Sequence, residues 1–160
     1  MKTILRFCQL AVIAVLPNVL FAQKDSLWLV CPLNNAQIVP QAKNAIQLDP
    51  PDYCVVLTSI PDTIVKSCVT GRVTNVETDD EGKFGVVIFS RHINKDYYLW
   101  YTGLSKLSVR RLDNLVAGQP LGTIERGGKM ELLMYDFETP VDPMKYLDCK
   151  TVPDIPLVVK

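Results

Sequence analysis

Hydrophobic and polar residues alternate along much of the second part of this chain, with the period of two that is typical of β-strands. Residues 64–76 are the clearest example, because their apolar and polar side chains alternate as in a strand with one buried face. Residues 84–89 form an apolar run instead, which fits a strand buried on both faces. Further strands are predicted where β-branched and aromatic residues are dense, at residues 53–58, 97–101 and 130–135.

Turn signals separate these predicted strands at short intervals. Residues 79–83 are polar and contain Gly82, which supplies the positive φ of a tight hairpin turn. Residues 94–96 predict a second turn, and Gly127 and Gly128 a third. No segment shows the 3.6-residue period of an amphipathic helix over three turns. The pattern therefore predicts an all-β protein, built as an antiparallel sandwich or barrel.

The densest aromatic cluster lies on one predicted strand. With alternating side chains, Tyr97, Leu99 and Tyr101 face one way, and Tyr98 and Trp100 face the other. One of these faces is expected to be core. The other is either ordinary surface, which is the preferred interpretation, or a stacking surface for a sugar or a peptide.

The first 22 residues have the pattern of a secretory signal peptide. Lys2 and Arg6 precede an apolar run, and Ala22 offers a small residue at the expected cleavage site. The alternative is a membrane anchor, which the short run and Pro17 disfavour. The expected organisation is a leader at 1–22, an N-terminal arm at 23–52, a β domain at 53–150 and a tail at 151–160. We expect the protein to be secreted or periplasmic and to have no stable membrane anchor after cleavage.

The charge balance excludes one broad class of partner. The whole chain has 17 basic and 17 acidic side chains, and removal of Lys2 and Arg6 with the leader leaves 15 basic against 17 acidic. Such a chain lacks the basic excess that nucleic acids or anionic membranes attract. We therefore expect no nucleic-acid partner.

Four cysteines remain after the leader, and an even number in an exported chain favours disulfides over a metal site. Cys54 and Cys68 flank the turn signal at 60–63 almost symmetrically, so a hairpin there would bring them together. The four cysteines allow three connectivities, and the one that contains Cys54–Cys68 leaves Cys31 to bond with Cys149. A zinc site is the disfavoured alternative, because the sequence contains no C-x-x-C pair.

Two stretches of the chain carry a resemblance to a known family. Residues 101–122 resemble Y-x-H-L followed by a spacer and G-D-x-V-x-A-G-Q-x-I-G, and residues 140–147 resemble P-V-x-P-x-x-Y-L. Upstream, residues 63–65 and 71–73 are similar to G-T-P-V and D-G-x-V. The order and spacing are those of the lysostaphin-type (LytM-like) zinc endopeptidases, which cut peptidoglycan cross-bridges. This resemblance implies an antiparallel β-sandwich, or barrel-sandwich hybrid, of the duplicated hybrid motif type, with an N-terminal arm.

The residues that hold zinc in that family are missing from the matching positions. The family uses three His and an Asp, whereas the resemblance places Asp52, Val56, Gly103, Lys129 and Glu131 at the ligand and catalytic positions. The single histidine, His92, falls on a non-ligand position of a hairpin. We therefore expect no catalytic residue, no metal and no other cofactor.

An emptied cleft can still bind a ligand, so these positions define a candidate groove. It comprises Asp52, Tyr101, Gly103, Lys129 and Glu131; a solvated ion pair between the last two is the plainer alternative. The resemblance implies an inactive relative that binds peptidoglycan or regulates a partner cell-wall hydrolase. Two alternatives stay open: a hydrolase with a site rebuilt around Asp52, Glu131 and His92, and a structural domain of the cell envelope.

Overall fold

The structure is a computed structural model, and it describes residues 27–39 and 53–149. Within these ranges no helix is long and apolar enough to span a bilayer. The predicted signal peptide and tail, and the predicted groove residue Asp52, lie outside the described residues.

The described part of the chain is almost entirely β-structure, as predicted. Its strands are β1 (Leu29–Val30), β2 (Gln37–Ile38), β3 (Cys54–Thr58), β4 (Ile64–Lys66), β5 (Gly71–Thr78), β6 (Phe84–His92), β7 (Lys95–Leu104), β8 (Lys106–Leu107), β9 (Asn114–Leu115), β10 (Pro120–Thr123), β11 (Lys129–Asp136), β12 (Thr139–Val141) and β13 (Leu147–Asp148). One short 3₁₀ helix, Pro143–Lys145, precedes β13.

Three sheets form from these strands. The large sheet has the order β2-β3-β11-β7-β6-β5-β9, with β12 also paired to β11. A small antiparallel sheet has the order β4-β10-β8, and β1 pairs with β13 in parallel. All pairs in the two larger sheets are antiparallel, so the predicted fold class is confirmed.

The core lies against one face of the large sheet, which we call the inner face. Along β7, Tyr97, Leu99 and Tyr101 are buried, and Tyr98 and Trp100 between them are only half-buried. Tyr101 is fully buried, and its hydroxyl accepts a hydrogen bond from the Cys68 backbone N–H at 2.8 Å. This bond ties the centre of the large sheet to the segment between β4 and β5.

The strand predicted at residues 64–76 is two strands, and the single-strand prediction is wrong. The chain leaves the β pattern at residues 67–70, where the Ser67 hydroxyl donates to the Val69 carbonyl at 2.6 Å. Before this break β4 pairs with β10, and after it β5 pairs with β6. Local side-chain hydrogen bonding of this kind competes with ladder formation, and a simple alternation of residue types does not reveal it.

The hairpin turns are largely where the sequence predicts them. Gly82 has a φ of 76° in the β5–β6 turn, and Gly127 has a φ of 69° in the bend before β11. The β6–β7 turn lies earlier than predicted, at Ile93 and Asn94, because Lys95 is already paired with His92.

The structure contains one of the two expected disulfides, Cys31–Cys149, which closes a sequence separation of 118 residues. The expected Cys54–Cys68 bridge is not formed, and that pairing is wrong. Its physical reason is topological: the segments that flank the 60–63 turn do not make a hairpin. Cys54 begins β3 in the large sheet, whereas Cys68 is buried in the break after β4 of the small sheet.

Candidate functional site

The side of the large sheet opposite the core, which we call the outer face, carries the candidate site. The strand registers align its side chains in rows across the sheet. One row joins Arg72, Phe89, Tyr98 and Tyr135, and the next joins Asn75, Val87, Trp100, Leu133 and Cys54. A third row contains Thr102, Glu131 and Val56.

The positions that the resemblance assigns to zinc ligands converge in this third row. Val56 on β3 lies directly opposite Glu131 on β11, and Glu131 lies directly opposite Thr102 on β7. Gly103 follows Thr102, and Lys129 precedes Glu131 on the same side of its strand. Val56, Gly103, Lys129 and Glu131 are therefore brought together from three neighbouring strands.

The backbone at Gly103 has a conformation that disfavours a side chain. Its φ is +81°, and a Cβ atom placed there would lie 2.7 Å from the Lys129 carbonyl oxygen. The register between β6 and β7 shifts beside it, which marks a β-bulge. A side chain at this position is therefore disfavoured by backbone conformation and by space, and the sequence has no histidine there.

The donor set at these positions does not fit a zinc ion. Zinc sites need three or four N, S or O donors, and this group offers one carboxylate beside a valine, a glycine and a lysine cation. Among the described residues, no three His, Cys, Asp or Glu side chains are grouped so as to hold a metal ion.

One predicted groove residue is misplaced. Tyr101 is fully buried on the inner face and cannot line a groove on the outer face. Burial also raises its pKa well above the usual tyrosine value, so its hydroxyl stays protonated. Gly103, Lys129 and Glu131 do lie together, and Lys129 and Glu131 are exposed.

His92 lies far from Glu131. His92 pairs with Lys95, and Glu131 pairs with Thr102, seven residues farther along β7. At the rise of an antiparallel strand, seven residues span roughly 23 Å. The two side chains cannot act on the same bond of a substrate.

The centre of the outer face is an aromatic and apolar surface. The rings of Phe89 and Tyr98 are 5.4 Å apart between centroids and tilted by 51°. The Trp100 indole N–H donates to Glu77 Oε1 at 2.8 Å, which fixes the ring beside half-buried Val87 and Leu133. Such a surface can stack against a peptide or a sugar.

Sequence reasoning found Tyr98 and Trp100 but missed the residues beside them. Phe89, Leu133 and Tyr135 belong to the same surface only because the strand registers place them opposite one another. The sequence of each strand predicts that these residues alternate with buried neighbours, but it does not predict which strands pair or in which register.

These features define a class of protein: an antiparallel β-sandwich with a candidate site on one face of its main sheet. The model of Peptidase family M23 matches residues 52–143, which is more than half of the chain. The protein belongs to Peptidase family M23, and the resemblance described above is confirmed.

Solved structures with the same fold are distant in sequence. The SpoIIQ–SpoIIIAH pore-forming complex contains a chain with a TM-score of 0.56 and 15% identity, over 76% of this chain and 92% of that one. Csd3 of Helicobacter pylori has a TM-score of 0.59 and 20% identity, over 78% and 36%. The antimicrobial peptidase lysostaphin from Staphylococcus simulans has a TM-score of 0.53 and 18% identity, over 79% and 55%.

These similarities establish the fold alone. The chain spans about half of lysostaphin and about a third of Csd3, so most of Csd3 has no counterpart here. No curated protein sequence matches this chain.

Proposed function

We propose that this protein is a catalytically inactive member of Peptidase family M23 that binds the peptide part of peptidoglycan on its outer face. The observation that carries the proposal is the third row of that face. The ligand positions converge there, yet they hold Val56, Gly103, Lys129 and Glu131, and the backbone at Gly103 disfavours any other residue. A face that has these residues at the positions assigned to zinc ligands, and therefore has no metal donors there, is suited to binding a peptide without hydrolysing it.

The rest of the outer face supports binding of an extended peptide. Its centre is apolar and aromatic, and exposed charged groups flank that centre at Lys129 and Glu131. Apolar contact surface with a few polar groups around it is typical of ligand sites.

Export of the protein is part of the proposal. Residues 1–22 are expected to be removed as a signal peptide, and the mature protein would act in the periplasm or outside the cell. The Cys31–Cys149 disulfide supports this location, because disulfides persist in oxidising compartments.

The catalytic part of the proposal is tested by metal analysis and by digestion. Purified protein is expected to contain no stoichiometric zinc and to release no soluble muropeptides from sacculi. An active M23 peptidase, assayed in parallel, provides the positive control. One tightly held zinc per chain, together with muropeptide release, would sink the proposal.

The binding part is tested by sedimentation with purified sacculi, with and without competing muropeptides. Trp100→Leu is expected to lower the bound fraction, because it removes the indole at the centre of the outer face. Trp28→Leu is the matched control, since Trp28 is exposed beside β1 and lies outside the large sheet. Near-ultraviolet circular dichroism verifies that both variants stay folded. Equal sedimentation of both variants and the wild type would count against this surface.

Regulation of a partner hydrolase is a second candidate. It draws on one observation, that the SpoIIQ–SpoIIIAH structure, which shares this fold, is a complex of two proteins. Adding the purified protein to a cell-wall hydrolase from the same organism would then change the rate of sacculus digestion. An unchanged rate would leave peptidoglycan binding as the remaining function.

A further inference from the structure

An open pocket of about 530 Å³ lies where the outer face meets β9. Its lining includes Arg72, Phe89, Arg91, Asn114 and Leu115. Of these lining residues, Leu115 is buried in the core, whereas Arg72, Arg91 and Asn114 are exposed. The pocket is distinct from the third row: Arg72 shares a row with Tyr98, which is four residues, or roughly 13 Å, from Thr102 along β7.

Two guanidinium groups belong to this pocket. Arg72 is paired with Phe89 across β5 and β6, and Arg91 lies two residues beyond Phe89 on the same side of β6. Such diagonal neighbours are about 7–8 Å apart between Cα atoms, so both long side chains can reach one ligand. The Arg91 guanidinium carbon lies 5.9 Å from the centroid of the Phe89 ring, which holds it beside the aromatic surface.

The charges of the two arginines are balanced differently. Arg91 donates to both carboxylate oxygens of Asp96, through Nε at 2.6 Å and Nη2 at 3.0 Å. Those hydrogen bonds lower the pKa of Asp96, so it remains ionised and neutralises Arg91. The Arg72 side chain makes no hydrogen bond or ion pair with any residue that the structure describes. Among the described residues, the Arg72 charge therefore has no partner, and it lies beside the aromatic ring of Phe89, with which Arg72 is paired.

We infer that the Arg72 pocket binds the carboxylate of a peptide that lies along the outer face. This inference rests on the proposed function, since it takes the ligand to be a stem peptide of peptidoglycan. A guanidinium group donates two parallel hydrogen bonds to a carboxylate, and Asn114, which is paired with Arg72, offers an amide donor beside it. An extended peptide of five residues spans roughly 17 Å, which is enough to pass from Trp100 to Arg72.

The probe for this inference is diacetyl-L-lysyl-D-alanine, whose only charge is its carboxylate, compared with the same peptide as its C-terminal amide. Isothermal titration calorimetry is expected to show the acid binding about tenfold more tightly than the amide. Arg72→Gln is expected to abolish this preference, so that the acid and the amide bind with equal affinity. Arg126→Gln, an exposed arginine on the turn before β11, is the matched control and retains the preference.

The possible failures are distinguishable. Equal affinities for acid and amide in the wild type overturn the carboxylate pocket and leave peptidoglycan binding intact, provided that Trp100→Leu weakens both. Retention of the preference in Arg72→Gln overturns the assignment of Arg72. No binding of the acid also overturns the inference, and sedimentation with sacculi then decides whether the proposed function fails with it.

Discussion

At the scale of single residues, two glycines with nearly the same backbone conformation differ in their surroundings. Gly82 has a φ of +76° and nothing within 4 Å of where a Cβ would lie. Gly103 has a φ of +81°, and its Cβ would meet the Lys129 carbonyl oxygen at 2.7 Å. Substitutions at these two glycines therefore separate the free-energy cost of a side chain on a left-handed backbone from the cost of steric crowding.

Gly103→Ala is expected to destabilise the protein more than Gly82→Ala. The left-handed conformation costs an alanine about 1–2 kcal/mol at either position. Crowding against β11 adds roughly 1–3 kcal/mol at Gly103 alone. The effect of alanine on the unfolded chain is the same for both, so it cancels in the comparison. Urea unfolding measures the difference, and equal losses of stability would show that β11 moves aside without cost.

Cys68 predicts how stability changes at alkaline pH. Burial raises the pKa of its thiol from 9.0 to about 12. The unfolded chain loses this proton near pH 9, whereas the folded chain keeps it, so the stability is fully present below pH 9 and falls as the pH rises toward 12. The slope is about 1.4 kcal/mol per pH unit for one group.

The free energy of unfolding, measured by urea titration between pH 8 and pH 11, is expected to fall above pH 9. Cys68→Ala removes this thiol and is expected to flatten the curve between pH 9 and pH 10, leaving the later contribution of buried Tyr101, whose pKa is also raised. If the free energy of unfolding of Cys68→Ala fell as steeply with pH as that of the wild type between pH 9 and pH 10, the Cys68 thiol would be excluded as the cause of the pH dependence.

At the scale of elements, β1 and β13 are held together by parallel pairing and by the Cys31–Cys149 disulfide. The pairing covers only two residues on each strand, which provides little stability alone. The disulfide closes a sequence separation of 118 residues, and loops of that length gain the most from a cross-link. The covalent bond therefore acts together with the burial of Leu29 to keep the two short strands paired.

Reduction of Cys31–Cys149 is expected to lower the free energy of unfolding by about 2–5 kcal/mol. Denaturation with and without a reducing agent measures this change. The Cys31→Ser/Cys149→Ser variant is the control and should not respond to the reducing agent. Alkylation of an unfolded, unreduced protein produced without residues 1–22 should label Cys54 and Cys68 and leave Cys31 and Cys149 unlabelled. Labelling of Cys31 or Cys149 would contradict the assigned pairing.

The sequence predicts an element well where all the residues that define it lie within one short segment. The alternation in residues 97–101 predicts which side chains are buried, and Gly82 predicts the β5–β6 turn. The sequence predicts poorly where partners are distant. Cys54 and Cys68 are near in sequence, but β3 pairs with β11 and β4 pairs with β10, so no local pattern separates them. The left-handed backbone of Gly103 likewise depends on a bulge between strands.

At the scale of the whole molecule, residues 27–39 of the N-terminal arm pack into the β domain, although the family match begins at residue 52. Leu29 and Leu33 of the arm are almost completely buried in the common core, at 0% and 1% exposure. The arm also forms backbone hydrogen bonds with the start of the small sheet, from Val30 N to the Cys68 carbonyl and from Lys66 N to the Pro32 carbonyl.

A protein truncated to begin at Asp52 is therefore expected to lose cooperative folding. Burial of two leucines contributes roughly 3–6 kcal/mol, which is comparable with the total stability of a small domain. Thermal unfolding and the dispersion of its amide NMR signals measure the effect. The Cys31→Ser/Cys149→Ser variant separates loss of the strands from loss of the disulfide. A sharp unfolding transition in the truncated protein would show that the chain from residue 52 onward folds without the arm.

The disulfide between the two ends of the fold also determines how the molecule responds to tension. The Cα atoms of Cys31 and Cys149 are 4.8 Å apart, so the chain enters and leaves the domain at one point. A pulling force applied through the two termini passes across the covalent bond and does not reach the hydrogen-bonded ladders between them. The described part of the fold would therefore keep its outer face intact under mechanical load.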